Sequence, residues 1–374
     1  MTSTHWCRLP ALVLVLFVLS LPAADDKPSA DWPMVRGNPL QNGVAGTDLP
    51  QELQLRWKFE TKDAIEGTAA IVGDTVYVGS FDQHLYALDL ASGKEKWKYK
   101  GGPFRASPSV RGGLVYVGDG DGTFHCVEAA TGKKRWTFAT KAEIMSGANF
   151  AGDAVLFGSS DEHLYCLSGD GKLRWKFQVP GGPVLGSPAV VDGRTFVAGC
   201  DSALHVLDAA KGTELKSVEL SGQVGASVAV AGDRLYVGTM TNQVQAIDWK
   251  AGKVLWTFEA KKQRQPFYAS AAVTEQLVII GSRDRRVYAL DRTKGTEVWS
   301  FLTGNRVDSS PVVAGQRVFV GSFDGKLYVL DLEKGTELQR FDLGSAIIAS
   351  PAVGRGCLVI GTEKGVVYCF GTKQ

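Results

Sequence analysis

Four residues suited to binding or proton transfer, Glu66, Arg105, Tyr268 and Asp308, share one column of a repeat, each two positions ahead of a small residue. The full column reads Glu66, Arg105, Met145, Leu185, Gly225, Tyr268, Asp308 and Ile348. An apolar residue always precedes it (Ile65, Phe104, Ile144, Val184, Val224, Phe267, Val307, Ile347), and a small one always follows. Variation inside an otherwise strict repeat marks where ligand chemistry belongs. Two acids, a guanidinium and a phenol can hold a polar ligand; they can equally neutralise one another as a solvated cluster. Next to Tyr268 one connection between repeats is lengthened and carries Lys261, Lys262 and Arg264. That loop suits an anionic ligand or a partner segment, with a solvated loop as the plain alternative.

Signatures of catalysis are missing. The chain has no His-Glu-x-x-His, no Gly-x-Ser-x-Gly, no phosphate loop and no dinucleotide fingerprint. Asp82, Asp121, Asp161, Asp201, Asp284 and Asp324 recur from repeat to repeat, which fits turns capped by their own carboxylates better than a metal ring. Asp119-Gly120-Asp121-Gly122 is half a calcium loop without the remaining ligands. His125 and His205 replace tyrosines of one column and read as packing. No catalytic residue and no metal site are expected.

The elements that must position these residues come from the repeat. A glycine column (Gly79, Gly118, Gly158, Gly238, Gly281, Gly321, Gly361, with Ala198 in the fourth unit) returns at roughly forty-residue intervals. Each unit contains four short β-type runs broken by Gly- and Asp-rich turns. In the seventh they start at Ser310, Arg317, Lys326 and Glu337. Such a unit is one blade of a β-propeller. The eighth unit stops after its third run, Val366 to Phe370, while Leu53 to Phe59 is a fourth run without a blade. The spacing predicts an all-β, eight-bladed propeller of four-stranded antiparallel blades, in which the N-terminal strand completes the last blade and removes the open edges. The first strand of each blade lines the channel, so the variable column sits at the channel mouth.

Trp57, Trp97, Trp136, Trp175, Trp256 and Trp299 recur late in the units, and Lys216 and Gln339 break the column. Segments such as Ala87-Leu88-Asp89-Leu90-Ala91-Ser92-Gly93-Lys94-Glu95-Lys96-Trp97 resemble the tryptophan-docking repeat of the PQQ-like, quinoprotein-type β-propellers over residues 53–371. The resemblance implies that each indole packs on a neighbouring blade. It admits two roles: a non-catalytic scaffold like the BamB-like exported propellers that help outer-membrane assembly, or a short quinoprotein oxidoreductase holding PQQ with Ca²⁺ at the mouth. Quinoprotein dehydrogenases carry adjacent cysteines beside the cofactor, and this chain has no Cys-Cys pair. Cys126, Cys166 and Cys369 stand in a small apolar column and read as core.

Composition bounds the rest. The chain has 374 residues, a formal net charge of +2 and 21% charged residues, an ordinary globular balance with no electrostatic footprint for nucleic acid. Arg8 followed by the apolar run from Leu9 to Leu21 and the small pair Ala23-Ala24 reads as a cleaved signal peptide over residues 1–24, with no lipid-anchor Cys after it. Residues 25–52 read as an irregular N-terminal segment. The expectation is therefore a monomeric periplasmic or secreted binding protein without a transmembrane segment in the mature chain, its partner an envelope protein or a small ligand. A sensor of a small anionic ligand is the further alternative.

Overall fold

The computed structural model describes residues 1–2, 30–261 and 263–372. The apolar leader and its exit at Ala23-Ala24 lie outside them. Among the described residues there are only strands, gathered into eight four-stranded antiparallel sheets. Seven sheets use four consecutive strands, as in Ala70–Val72, Thr75–Gly79, His84–Asp89 and Glu95–Lys100 of blade 1. The eighth joins Ala352–Gly354, Cys357–Gly361 and Val366–Gly371 to the N-terminal strand Gln54–Glu60. Trp57 lies opposite Cys369, Lys58 opposite Tyr368 and Phe59 opposite Val367. The eight-bladed ring and its closure by the N-terminal strand are as the sequence predicts. No helix among the described residues is long and apolar enough to cross a membrane.

The second and third strands of each blade are buried on both faces because each sheet is sandwiched between its neighbours. The glycine and apolar columns are two halves of one contact. A Cβ on Gly321 would come within 2.3 Å of Ile347 Cγ2 on the next blade, and one on Gly361 within 2.3 Å of Ile65 Cγ2. The inner strand of blade 7 begins at Val312 rather than Ser310. Pro311 has no N–H for the ladder, and the Ser310 N–H is given to Ser350 Oγ at 2.9 Å.

Each Trp follows a bulge, where the third- and fourth-strand registers slip by one residue. The bulge aims the indole out of its own sheet. The Nε1 atoms of Trp57, Trp97, Trp136, Trp175, Trp256 and Trp299 donate to the carbonyls of Leu90, Ala129, Gly169, Ala209, Arg292 and Leu332 on the next blade, at 2.9–3.2 Å. The ring lies under a left-handed turn glycine; Gly335, at φ 67°, has no room for a Cβ above Trp299. The two breaks in the column keep the donor. Lys216 lays its methylenes under Gly252 and donates to Lys250 O, and Gln339 Nε2 donates to Leu53 O at 3.1 Å.

The described part of the N-terminal segment has no regular strand. It circles inside the ring and caps the free inner edges. Trp32 exchanges both backbone bonds with Ile71, and the carbonyls of Pro33, Pro39, Leu40, Asn42 and Gly43 accept from Val110, Val190, Val230, Val273 and Val313. Arg36 is buried, at 1% exposure, with Nη2 on the Ala271 and Pro311 carbonyls at 3.0 and 2.7 Å. Burial pushes its guanidinium down to about 9.

Candidate functional site: the channel mouth

The small column builds a belt. The backbone N–H groups of Thr68, Gly147, Ser187, Ser227, Ser270 and Ser310 donate to Ser107, Ser187, Ser227, Ser270, Ser310 and Ser350 Oγ of the following blade, at 2.8–3.0 Å. These hydroxyls are therefore architectural. Gly147 interrupts the belt because a Cβ there would lie 3.0 Å from Val35 Cγ1 of the N-terminal segment. Val35 and the belt close a cavity of about 430 Å³ from below, and the variable column forms its mouth.

The structure brings Glu66, Arg105, Met145, Tyr268 and Asp308 to this one cavity. Arg105 Nε donates to Glu66 Oε2 at 2.6 Å. Two residues that the sequence reading passed over, Arg283 and Arg306, converge on Asp308. Arg283 grips it with Nε and Nη2 at 2.8 and 2.9 Å, and Arg306 Nε donates at 3.1 Å. The Asp308 carboxylate pushes the Arg283 guanidinium above its usual range. Each arginine also lies on an aromatic ring. Arg283 is 3.8 Å from the Tyr268 centroid and Arg306 3.6 Å from that of Phe323, within cation–π range. Glu363 completes the group. Desolvation, reinforced by the Glu66 charge, raises its carboxyl against the pull of Arg306.

The charges are confined to an arc from blade 6 through blades 7, 8 and 1 to blade 2. Across the mouth stand Met145 and Leu185 on blades 3 and 4, with Met240 reaching over Gly225 on blade 5. The pocket is thus amphipathic, and its guanidiniums are held in place before any ligand arrives. Lys261 and Arg264 are not in its wall. Lys261 lines a separate cavity with Phe258 and Tyr288, and the Arg264 side chain is 85% exposed with Glu259 at 3.5 Å. Lys262 lies outside the described residues. The added loop residues carry Lys261 and Arg264 out into solvent and away from the channel.

The signal for the missed residues was present. Two positions after the glycine column the chain reads Phe81, Gly120, Ser160, Cys200, Met240, Arg283, Phe323 and Glu363. That is a second variable column, in the loops joining strands two and three. The recurring aspartates are turn residues, as expected, and all but Asp121 also take a ring. Asp82, Asp161 and Asp324 accept from Tyr86, Tyr165 and Tyr328 hydroxyls at 2.6–2.7 Å. In blade 2 the carboxylate doing this is Asp119, not Asp121, and it takes His125 at 2.7 Å.

These donors do not fit a calcium-held quinone. Calcium takes oxygen ligands, free carboxylates prominent among them, and among the described residues no three His, Cys, Asp or Glu side chains gather as candidate metal ligands. Glu66 and Asp308 are instead turned onto guanidiniums.

Comparison with known proteins agrees on the architecture. The profile of the family described as outer membrane protein assembly factor BamB matches residues 52–147, 121–219 and 200–374. BamB from Moraxella catarrhalis superposes with a TM-score of 0.73 at 19% identity, covering 86% of this chain and 98% of that one. Quinohemoprotein alcohol dehydrogenase from Comamonas testosteroni gives 0.79 at 15% identity, covering 92% and 81%. At these identities the superpositions establish the fold alone. The beta-alanine-activating enzyme of Danio rerio is 34% identical over 102 residues, 25% of this chain but only 9% of that protein's length. With matches spanning almost all of the ring, the chain belongs to the family described as outer membrane protein assembly factor BamB, a family of PQQ-like β-propellers.

Proposed function

We propose that the protein is a non-catalytic scaffold of the cell envelope that grips a polypeptide segment of an outer-membrane assembly partner at the channel mouth. The amphipathic mouth carries this reading. Arg283 and Arg306 are fixed on Asp308 and stacked on Tyr268 and Phe323, and they face an apolar arc of Met145, Leu185 and Met240. Pre-positioned arginines and aromatic rings in a concave site are the usual anchors of a protein interface, and the rigid ring spares the partner the cost of ordering them. A photocrosslinking residue at Leu185 in living cells tests it. One discrete adduct with an outer-membrane assembly protein, lost in Arg283→Glu, is expected. A discrete adduct that survives Arg283→Glu, or none at all, contradicts it.

A small anionic ligand is the second reading. It is favoured by the two guanidiniums sharing the single carboxylate of Asp308. A saturable melting shift with citrate, absent in Arg306→Ala, would support it over the polypeptide.

A further inference from the structure

The ring has one seam unlike the others. At six seams the indole of one blade lies beneath the next blade's turn and bonds its carbonyl. At a seventh, Lys216 does the same with its methylenes and ammonium. Between blades 7 and 8 the indole and the turn above it are both missing, and only the donor is kept, by Gln339 Nε2 on Leu53 O. Gln339 stands in the indole's place. Among the described residues no turn joins the third and fourth strands of blade 8, which are Val366–Gly371 and the N-terminal strand Gln54–Glu60. A groove of about 900 Å³ remains, floored by Leu53, Val329 and Leu338. Leu338 is 52% exposed.

We propose that this groove is a docking site for an indole side chain presented on a basic polypeptide segment of a partner. The other seams show what such a site takes: a flat apolar ring with one donor, wedged between adjacent blades. The charge on the rim says what should flank it. Asp48, Glu52 and Asp331 line the groove against the single cation Arg317, an excess of two negative charges. Arg317 has its Nη donors on the Leu49 and Gln51 carbonyls, at 2.6 and 3.0 Å, so it braces the N-terminal segment from one side of the groove. Opposite charge on the ligand speeds encounter and sets its register. The site stands on residues separate from the channel mouth and holds or fails independently of it.

Two peptides test it on the full mature chain by calorimetric titration: acetyl-Lys-Lys-Trp-Lys-Lys-amide and the same peptide with Ala for Trp. The indole peptide is expected to bind saturably and at least tenfold tighter than its Ala counterpart, and to weaken as salt is raised. Gln339→Trp should fill the groove from within, raise the melting temperature and abolish peptide binding. The exposed rim variant Glu52→Gln, which leaves the packing untouched, should weaken binding several-fold. Equal binding of the two peptides, no binding by either, or binding that survives Gln339→Trp overturns the proposal. A concentration-dependent dimer dissolved by Gln339→Trp would assign the groove to a second copy and also overturn it.

Discussion

Removing one indole should reveal how much the docking ring holds. Trp299 is 8% exposed, donates to Leu332 O at 2.9 Å and lies against Gly335. A buried Trp removes roughly 150–250 Å² from water, and at ~25 cal/mol per Å² that is about 4–6 kcal/mol as an upper bound. Large-to-small substitutions at buried aromatics cost about 3–5 kcal/mol. The Trp299 dock lies at the rim of the ring, where water can refill the space, so Trp299→Ala should lose about 3–4 kcal/mol. Trp136 is more exposed, and Trp136→Ala should lose less, about 2 kcal/mol by the same area argument. Lys216→Ala removes only methylenes and a solvated donor, about 1 kcal/mol or less. Gly335→Ala approaches the Trp299 loss from the other side, since its φ of 67° and a Cβ 2.4 Å from Trp299 Cδ2 strain both partners. Equilibrium urea unfolding gives these differences from the midpoint and slope. A Trp299→Ala loss no larger than that of Lys216→Ala would refute the claim that docking, rather than blade packing alone, ties neighbours together.

Glu363 carries a raised carboxyl in the folded state, so its charge opposes folding above the ordinary carboxylate range. Glu363→Gln should therefore be more stable than the parent at pH 7, and the advantage should fade as the pH falls through that range, as melting curves from pH 4 to 7 would report. Gly147→Ser would complete the hydroxyl belt, yet its Cβ meets Val35 Cγ1 at 3.0 Å and Ser107 O at 3.3 Å. Overpacking of about 1–3 kcal/mol should outweigh one added hydrogen bond of about 1 kcal/mol, and the melting temperature should drop. PQQ added with Ca²⁺ should change neither the absorption spectrum of the cofactor nor the melting temperature. A saturable change in both would place quinone chemistry at the mouth despite its donor set.

The architecture was readable because a propeller repeats each constraint from blade to blade. A single strand such as Ser310 to Val313 is ambiguous, but eight aligned copies are not, and the leftover run around Trp57 could belong only to the last blade. The mouth was half readable. Glu66, Arg105 and Asp308 stood out in a column that the framing residues define. Arg283 and Glu363 sit in loops whose variable column has no such frame, and Arg306 lies two residues before Asp308 in a connection that varies freely. Lys261 and Arg264 misled because a lengthened loop beside Tyr268 in sequence need not lean over it in space. The seam groove had no signal beyond Gln339 itself, since an absent turn is visible only once the two chain ends meet.

The most direct test joins those two ends covalently. Lys58 and Tyr368 are direct cross-strand partners, within reach of a disulfide once both are cysteine. The double variant Lys58→Cys/Tyr368→Cys, oxidised and mapped by proteolysis and mass spectrometry, should yield the 58–368 crosslink from a folded monomer with unchanged hydrodynamic size. If both thiols stay reactive and unpaired, or pair only between molecules, the N-terminal strand does not close the ring, and the channel mouth and the seam are both misplaced.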